Sequence, residues 1–155
     1  MTYEETLHYL YTSIPVFQHS GASAYKPGLG TSIALDDYLG NPHKAYKTIH
    51  VAGTNGKGSV SHLLAAILRQ SGFKVGLYTS PHLVDFRERI RVNGKKISQD
   101  YVVDFVERHR SFFEPLHPSF FELTSSMAFE YFRDQQVDYA VIEVGLGGRL
   151  DSTNI

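Results

Sequence analysis

The chain of 155 residues has the length of one domain, and its 42% hydrophobic and 13% aromatic content is enough to form a core. Its formal net charge of −1 argues against nucleic acid or an anionic membrane as a partner, and its lack of cysteine excludes disulfides and thiolate metal sites. No apolar run approaches the roughly 20 residues of a membrane-spanning helix, and the first five residues lack the basic start of a signal peptide. These features predict a soluble cytoplasmic protein.

The first 46 residues are predicted to contain a helix, a loop and a shorter helix. Residues 2–13 place their apolar side chains on one helical face, and Thr2 is the expected N-cap. Glycine and proline recur among small residues between positions 14 and 30, which is typical of a loop. Residues 31–39 then predict a short helix that ends at a Gly-Asn-Pro sequence.

Residues 48–59, TIHVAGTNGKGS, are the most informative stretch of the chain. A short apolar run is followed by three glycines and Lys57, and apolar residues then recur at helical spacing until Gly72. A strand, a glycine loop and a helix are typical of a phosphate-binding site. Backbone N–H groups can turn toward the anion, the helix N-terminus adds partial positive charge, and a lysine neutralises the outer phosphates.

This loop departs from the common pattern G-x-x-x-x-G-K-[ST], in which the last hydroxyl binds Mg²⁺. Gly53 lies only three residues before Gly56, and Gly58 rather than a hydroxyl residue follows Lys57. An alternative interpretation is a glycine turn that joins a strand to a helix, with Lys57 as an ordinary solvated cation.

A second strand is predicted at residues 74–78, and Ser80 follows its carboxyl end. Ligands bind at the carboxyl ends of strands in open parallel sheets, so Ser80 falls on the edge where the phosphate loop is expected. Taken alone, a Ser-Pro pair after a strand is a turn, and a single loop histidine such as His82 is more often solvated than bound to a ligand.

The next segment is predicted to hold a charged surface, a hairpin and two helices. Residues 85–91, DFRERIR, are typical of a solvated surface, and Asn-Gly within residues 91–97 predicts a hairpin because both turn residues accept positive φ. Ser98 is expected to cap a helix that runs to about residue 113. A further helix is expected from residue 120 to about 135, and the aromatic pair at its start is more typical of a core than of a ligand platform.

The last predicted strand ends in a carboxylate. Residues 139–142 form a nearly continuous apolar run that suits a buried parallel strand, and Glu143 follows at its carboxyl end. A carboxylate is costly to bury unless it is paired or binds a metal. Its expected position on the sheet edge of the phosphate loop favours Mg²⁺, a hard cation that accepts carboxylate and phosphate oxygens. The alternative is an ion pair with a lysine or an arginine.

The sequence GTNGKGS at residues 53–59 resembles the nucleotide loop of the Mur ligase superfamily, and GKGS favours its folate branch, the folylpolyglutamate and dihydrofolate synthases. Further stretches resemble motifs of the same branch: YTSP at residues 78–81, F-x-E-R-I at 86–90, FFELT at 120–124, which resembles F-E-x-x-T, and I-E-V-G-x-G-G at 142–148. The resemblance covers nearly the whole chain. It implies a P-loop-like α/β fold, with a mostly parallel sheet flanked by helices, and an ATP-dependent amide ligase.

The resemblance also implies binding sites for ATP and Mg²⁺. The residues that it assigns to ATP are Gly53, Thr54, Asn55, Gly56, Lys57, Gly58 and Ser59. It assigns Mg²⁺ to Ser80 and Glu143, so that a serine at a strand end supplies the hydroxyl that the loop lacks. Catalytic roles fall on Lys57, Glu143 and Asp151.

The substrate site implied by the resemblance draws on four parts of the chain. Its residues are Tyr25, Lys26, Pro27, Leu29, His82, Arg87, Arg89, Ser119, Phe120, Phe121, Glu122, Leu150, Asp151 and Ser152. Residues 145–154 resemble a mobile substrate loop of the family. The sequence GGRLD within it is more similar to bifunctional members of the branch than to members restricted to polyglutamylation. For residues 14–30, a connector without a ligand is an equal alternative.

The resemblance implies that residues 1–155 are the N-terminal part of an ATP-binding domain, with a helix and substrate-side loop at 1–46 and a P-loop core at 47–155. Family members are more than twice as long, so the chain is expected to be an inactive piece that lacks a C-terminal domain, a further histidine metal ligand and a carbamylated lysine. The implied monomeric enzyme joins L-glutamate to dihydropteroate or to a folylpolyglutamate through an acyl phosphate. Alternatives are a small-molecule kinase or nucleotide switch, a Mur-type ligase of another substrate, and a non-catalytic binding module.

Overall fold

The computed structural model describes residues 1–14 and 28–155, which form one mixed sheet with helices on both faces. The strands are β1 (Lys47–Val51), β2 (Val75–Tyr78), β3 (Ile90–Val92), β4 (Lys95–Lys96) and β5 (Tyr139–Glu143). The helices are α1 (Tyr3–Ser13), α2 (Gly30–Tyr38), α3 (Lys57–Gln70), α4 (Gln99–Phe113) and α5 (Phe120–Asp134), with short 3₁₀ turns at Pro42–Ala45, Phe86–Arg89 and Glu114–Leu116. The predicted α/β class is confirmed.

The strand order β1-β5-β2-β3-β4 brings three parallel strand ends together. Strand β5 lies between β1 and β2 and runs parallel to both, whereas β3 and β4 are antiparallel additions. Val51 pairs with Glu143, and Tyr78 pairs with Ile142, so β1, β5 and β2 end at nearly the same level. The segments that follow these strands therefore leave the sheet at one edge, as expected for parallel strands.

Alternate residues of β5 pack into two apolar clusters on opposite faces of the sheet. Ala140 and Ile142 belong to the larger cluster, to which α1, α2, α4 and α5 contribute. Val141 belongs to a smaller cluster beneath α3. No helix in the described part of the chain is long and apolar enough to cross a membrane.

Helix α3 buries only part of the apolar surface that its sequence pattern contains. Leu64, Ala65 and Leu68 pack against the smaller cluster. Three further apolar residues of the helix stay exposed: Val60 (48%), Leu63 (62%) and Ile67 (54%). A helix that lies on a sheet buries one stripe of its surface, so periodicity predicts the helix but not which apolar residues the sheet covers.

The predicted local signals at helix and hairpin ends are confirmed. Thr2 Oγ1 accepts a hydrogen bond from Glu5 N (3.1 Å), and Ser98 Oγ accepts one from Tyr101 N (3.2 Å). The hairpin turn between β3 and β4 holds Asn93 at φ 48° and Gly94 at φ 79°. These ends are set by residues that lie close together in sequence, which is why the sequence alone could place them.

We expect Gly76→Ala to destabilise the protein by about 1–3 kcal/mol, because β2 and α5 pack too closely for a side chain at this position. A Cβ at Gly76 would lie 2.6 Å from Cδ1 of Phe132, whose ring is fully buried. Urea denaturation measures the change in free energy of unfolding. Gly30→Ala is the matched control, since a Cβ there meets nothing within 4 Å. Equal unfolding midpoints for Gly76→Ala and the parent would contradict the close approach.

Candidate functional site

The segment between β1 and α3 is an exposed glycine loop at residues 52–56. Gly56 is the N-cap of α3 and adopts a left-handed conformation (φ 76°), which glycine accepts without strain. No side chain within residues 1–14 and 28–155 caps this helix, and Lys57 Nζ donates to the carbonyl oxygen of Gly53 (2.8 Å). Uncapped N–H groups, the helix dipole and an ammonium group thus meet at one point, which suits a phosphate.

Glu143 lies beside this loop at the carboxyl end of β5. Its carboxylate is buried, and Oε2 accepts a hydrogen bond from the backbone N–H of Ser80 (3.1 Å). Its other oxygen, Oε1, lies 3.8 Å from where a Cβ of Gly58 would stand, in the first turn of α3. No lysine or arginine of the described residues forms an ion pair with Glu143, so the alternative ion-pair interpretation finds no partner there.

These contacts bring together the two residues assigned to Mg²⁺ by resemblance. Glu143 offers a carboxylate beside the first turn of α3, and Ser80, whose backbone N–H contacts that carboxylate, carries a hydroxyl; both groups are hard oxygen donors. Within the ranges 1–14 and 28–155, no cluster of three or more His, Cys, Asp or Glu side chains could hold a metal by itself. Mg²⁺ suits such a sparse donor set, because it commonly takes one or two protein ligands and completes its shell with water and phosphate oxygens.

Asp151 stabilises the loop that follows Glu143 by hydrogen bonds within that loop. It is buried, and its Oδ1 accepts hydrogen bonds from Gly145 N (3.1 Å) and Leu146 N (2.9 Å). Its Oδ2 accepts from the backbone N–H of Thr153 (3.1 Å) and from the Thr153 hydroxyl. Both oxygens are therefore engaged in holding residues 145–153 together, and the catalytic role implied for Asp151 stays a prediction.

A histidine that the sequence interpretation did not single out lies against this loop. His50 Nε2 is 2.7 Å from Thr153 Oγ1, and burial lowers the pKa of His50 while Asp151 opposes that shift. The two partners are 103 residues apart, so no local pattern in the sequence could have indicated the contact.

His82 and Arg89 form one network with the end of α1. Arg89 Nε donates to His82 Nδ1 (2.7 Å), and His82 Nε2 lies 3.0 Å from the hydroxyl of Tyr11. Arg89 is buried with its guanidinium over the ring of Phe120 (5.1 Å). Burial and the neighbouring Arg89 lower the pKa of His82. Of the predicted substrate residues, Arg89 thus contacts both His82 and Phe120.

Arg87 forms an ion pair with Asp85 instead of joining the His82–Arg89 network. Its Nη2 donates to Asp85 Oδ2 (2.9 Å), to which Lys96 Nζ also donates (2.9 Å). Although burial alone would raise it, the hydrogen bonds from Lys96 and Arg87 hold the pKa of Asp85 well below its usual range. The guanidinium of Arg87 already has a carboxylate partner in this structure, so its predicted substrate contact would require an exchange of partners.

The start of α5 places Phe121 against the loop that follows β5. Its ring meets that of Tyr78 edge to face (5.6 Å, 72°), and its Cζ lies 2.5 Å from where a Cβ of Gly145 would stand. Ser119 and Glu122 form a capping box, in which Ser119 Oγ accepts from Glu122 N (3.1 Å) and Glu122 Oε2 accepts from Ser119 N (2.7 Å). The S-x-x-E spacing could have indicated this box, which gives both residues a structural role beside their predicted substrate contact.

The remaining predicted substrate residues are scattered. Tyr25, Lys26 and Pro27 lie outside the described residues, and Leu29 is the N-cap residue of α2. Leu150 is exposed, whereas the Ser152 hydroxyl is buried without a hydrogen-bond partner in the part of the chain that the structure describes.

Comparison with known proteins finds relatives along nearly the whole chain, although no protein-family model matches it. The dihydrofolate synthase/folylpolyglutamate synthase of Bacillus subtilis is 42% identical over 137 residues, which cover 84% of this chain and 32% of the relative. The crystal structure of folylpolyglutamate synthase from Thermotoga maritima is 49% identical, with a TM-score of 0.87, and the match covers 98% of this chain and 35% of that one.

A solved complex of a folylpolyglutamate synthase with AMPPCP and folate is also similar to this chain. It is 38% identical with a TM-score of 0.88, and the match covers 100% of this chain and 38% of that one. The chain thus spans about a third of the length of these relatives.

Proposed function

This chain is a homologue of the folylpolyglutamate and dihydrofolate synthases of the Mur ligase superfamily, and from that premise we propose that it forms the N-terminal part of the ATP-binding domain of such a ligase. Residues 1–46 supply its substrate side, and residues 47–155 supply the phosphate-binding core. The rest of the domain and a second domain complete the enzyme. The observation that carries the proposal is the contact of Glu143 with Ser80 beside the first turn of α3.

The proposed reaction has two steps. A substrate carboxylate attacks the γ-phosphorus of ATP, which gives an acyl phosphate and ADP. The amine of L-glutamate then attacks the acyl carbon, loses a proton and displaces phosphate, which leaves an amide. The first step brings two anions together, so the protein must neutralise and position the phosphates.

The geometry of the site supports the following roles for this chain in that reaction. The loop at residues 53–59 and the N-terminus of α3 hold the β- and γ-phosphates, and Lys57 exchanges the Gly53 carbonyl for a phosphate oxygen. Ser80 and Glu143 would hold Mg²⁺, which when bound offsets negative charge on the phosphates.

The proposed carboxylate substrates are dihydropteroate and folylpolyglutamate, so the enzyme is bifunctional. A folate-bound relative and a relative with both names support this choice. The substrate lies near Phe121, the loop at residues 145–154 and the His82–Arg89 network. The proposal includes a monomeric cytoplasmic enzyme.

A phosphate-release assay tests the proposal. In the full-length enzyme, release of phosphate from ATP is expected to require both L-glutamate and a carboxylate substrate, dihydropteroate or tetrahydrofolate. The product should carry one more glutamate by mass spectrometry. A small-molecule kinase would instead transfer the phosphate to an acceptor without any amine, so phosphorylated substrate that accumulates equally with and without glutamate would exclude the ligase.

A further inference from the structure

The side chain of His50 connects β1, the strand that leads into the phosphate loop, to the loop that follows β5. His50 lies on β1, three residues before Gly53, where the phosphate loop begins. Its Nε2 contacts Thr153 at the far end of the loop that follows β5 (2.7 Å). Backbone pairing supports the same connection, since Val144 N donates to Val51 O (2.9 Å).

The direction of the hydrogen bonds in this network is determined by the chemistry of its members. The Thr153 hydroxyl has one hydrogen, and its contact with Asp151 Oδ2 uses it, because a carboxylate only accepts. Thr153 Oγ1 must therefore accept from His50, which assigns a hydrogen to Nε2 of the imidazole. The chain of donation runs from His50 through Thr153 to Asp151.

Asp151 also forms hydrogen bonds with the start of the loop that follows β5. Its Oδ1 accepts from the N–H groups of Gly145 and Leu146, the second and third residues after Glu143. A single path of hydrogen bonds thus leads from β1 across the loop and back to the segment that follows the carboxylate of β5. Asp151 and Thr153 are both buried, which strengthens such a network.

We propose that His50 is a positioning residue for the folate-class substrate. It touches neither the phosphate loop nor the metal candidates, and it acts by fixing the loop at residues 145–153 relative to β1. The substrate consequence rests on the proposed function, whereas the effect on the loop does not.

The test uses the full-length enzyme and His50→Phe, which keeps a ring but removes the donor. Hydrogen exchange of the backbone amides of residues 145–153 is expected to become about 5-fold faster, as the loss of one hydrogen bond implies. The KM for dihydropteroate should rise about 5-fold, and the KM for ATP should change less than about 2-fold.

Three further variants make this result interpretable. His50→Gln retains an N–H donor and should restore slow exchange and the KM for dihydropteroate. Thr153→Val breaks the network from its other side and should reproduce His50→Phe. His62→Phe, at an exposed position on α3, is the matched control and should change neither.

Two outcomes overturn the inference. Unchanged exchange in both His50→Phe and Thr153→Val shows that the network does not hold the loop, whatever the activity of the enzyme. Faster exchange with an unchanged KM for dihydropteroate shows that the loop is held but does not position substrate. If the parent enzyme shows no glutamate-dependent turnover, the proposed function fails, and the exchange measurement still decides the role of His50 in the loop.

Discussion

Glu143→Gln is expected to lower kcat/KM for glutamate-dependent ATP turnover by about 10³-fold, which corresponds to about 4 kcal/mol of transition-state stabilisation. Glutamine keeps the shape of the side chain, and its amide oxygen still accepts the hydrogen bond from Ser80 N. The change therefore removes the negative charge while it leaves the local fold intact. If Glu143 binds Mg²⁺ as proposed, loss of that charge should also raise the Mg²⁺ concentration for half-maximal activity. Phosphate release measured over a range of Mg²⁺ concentrations gives both quantities.

Glu130→Gln is the matched control for Glu143→Gln, because both carboxylates are buried but only one lies at the phosphate loop. Glu130 accepts hydrogen bonds from Arg108 Nη2 (2.8 Å) and His109. Burial alone would raise its pKa, but the hydrogen bonds from His109 and Arg108 outweigh burial and lower it.

The lowered pKa of Glu130 predicts how the effects of Glu130→Gln should differ from those of Glu143→Gln. The ionised Glu130 stabilises the fold above its unfolded-state pKa, and that contribution is lost as the pH falls through the folded-state value. Glu130→Gln should therefore reduce stability at neutral pH and leave the Mg²⁺ requirement unchanged. If Glu143→Gln keeps both the activity and the Mg²⁺ requirement of the parent, Glu143 is not a metal ligand.

The sequence predicted those parts of the site that depend on neighbouring residues or on strand polarity. A strand, a glycine loop and a helix start are contiguous, so the loop at residues 53–59 was visible without a structure. Glu143 was visible because a carboxylate at the end of an apolar strand is costly to bury without a partner. Parallel pairing of β1, β5 and β2 then placed Ser80 on the same edge.

Contacts between residues far apart in sequence could not be predicted in the same way. The substrate contact expected of Arg89 stays a prediction, but its burial, its hydrogen bond to His82 and its position over the ring of Phe120 could not be read from the sequence. The pairing of His50 with Thr153 arises only when β1 and the loop after β5 come together. Such contacts depend on how distant segments pack together, and local sequence periodicity indicates only the type of each element.

Lys57→Ala is expected to weaken binding of Mg·ATP by about 10²-fold and to lower kcat/KM for the ligase reaction by about 10³-fold. Lys57 is the first residue of α3, and its ammonium group already reaches across the loop to Gly53 O (2.8 Å). A phosphate bound at the helix N-terminus would lie within reach of the same ammonium group, so its loss removes a full charge from the site. Isothermal titration with a non-hydrolysable ATP analogue measures the affinity.

The interpretation of Lys57→Ala depends on separating binding from folding. Because the loop at residues 52–56 is exposed, water can replace the lost hydrogen bond to Gly53 O, and the free energy of unfolding should change by less than about 0.5 kcal/mol. Lys95→Ala is the matched control, since this exposed lysine lies on β4, at the opposite edge of the sheet from β1. It should alter affinity less than about 2-fold, because exposed charges at that distance are screened by salt. Equal affinity of the parent and Lys57→Ala for the nucleotide would show that this lysine does not bind phosphate, and the glycine loop would then be a turn between a strand and a helix.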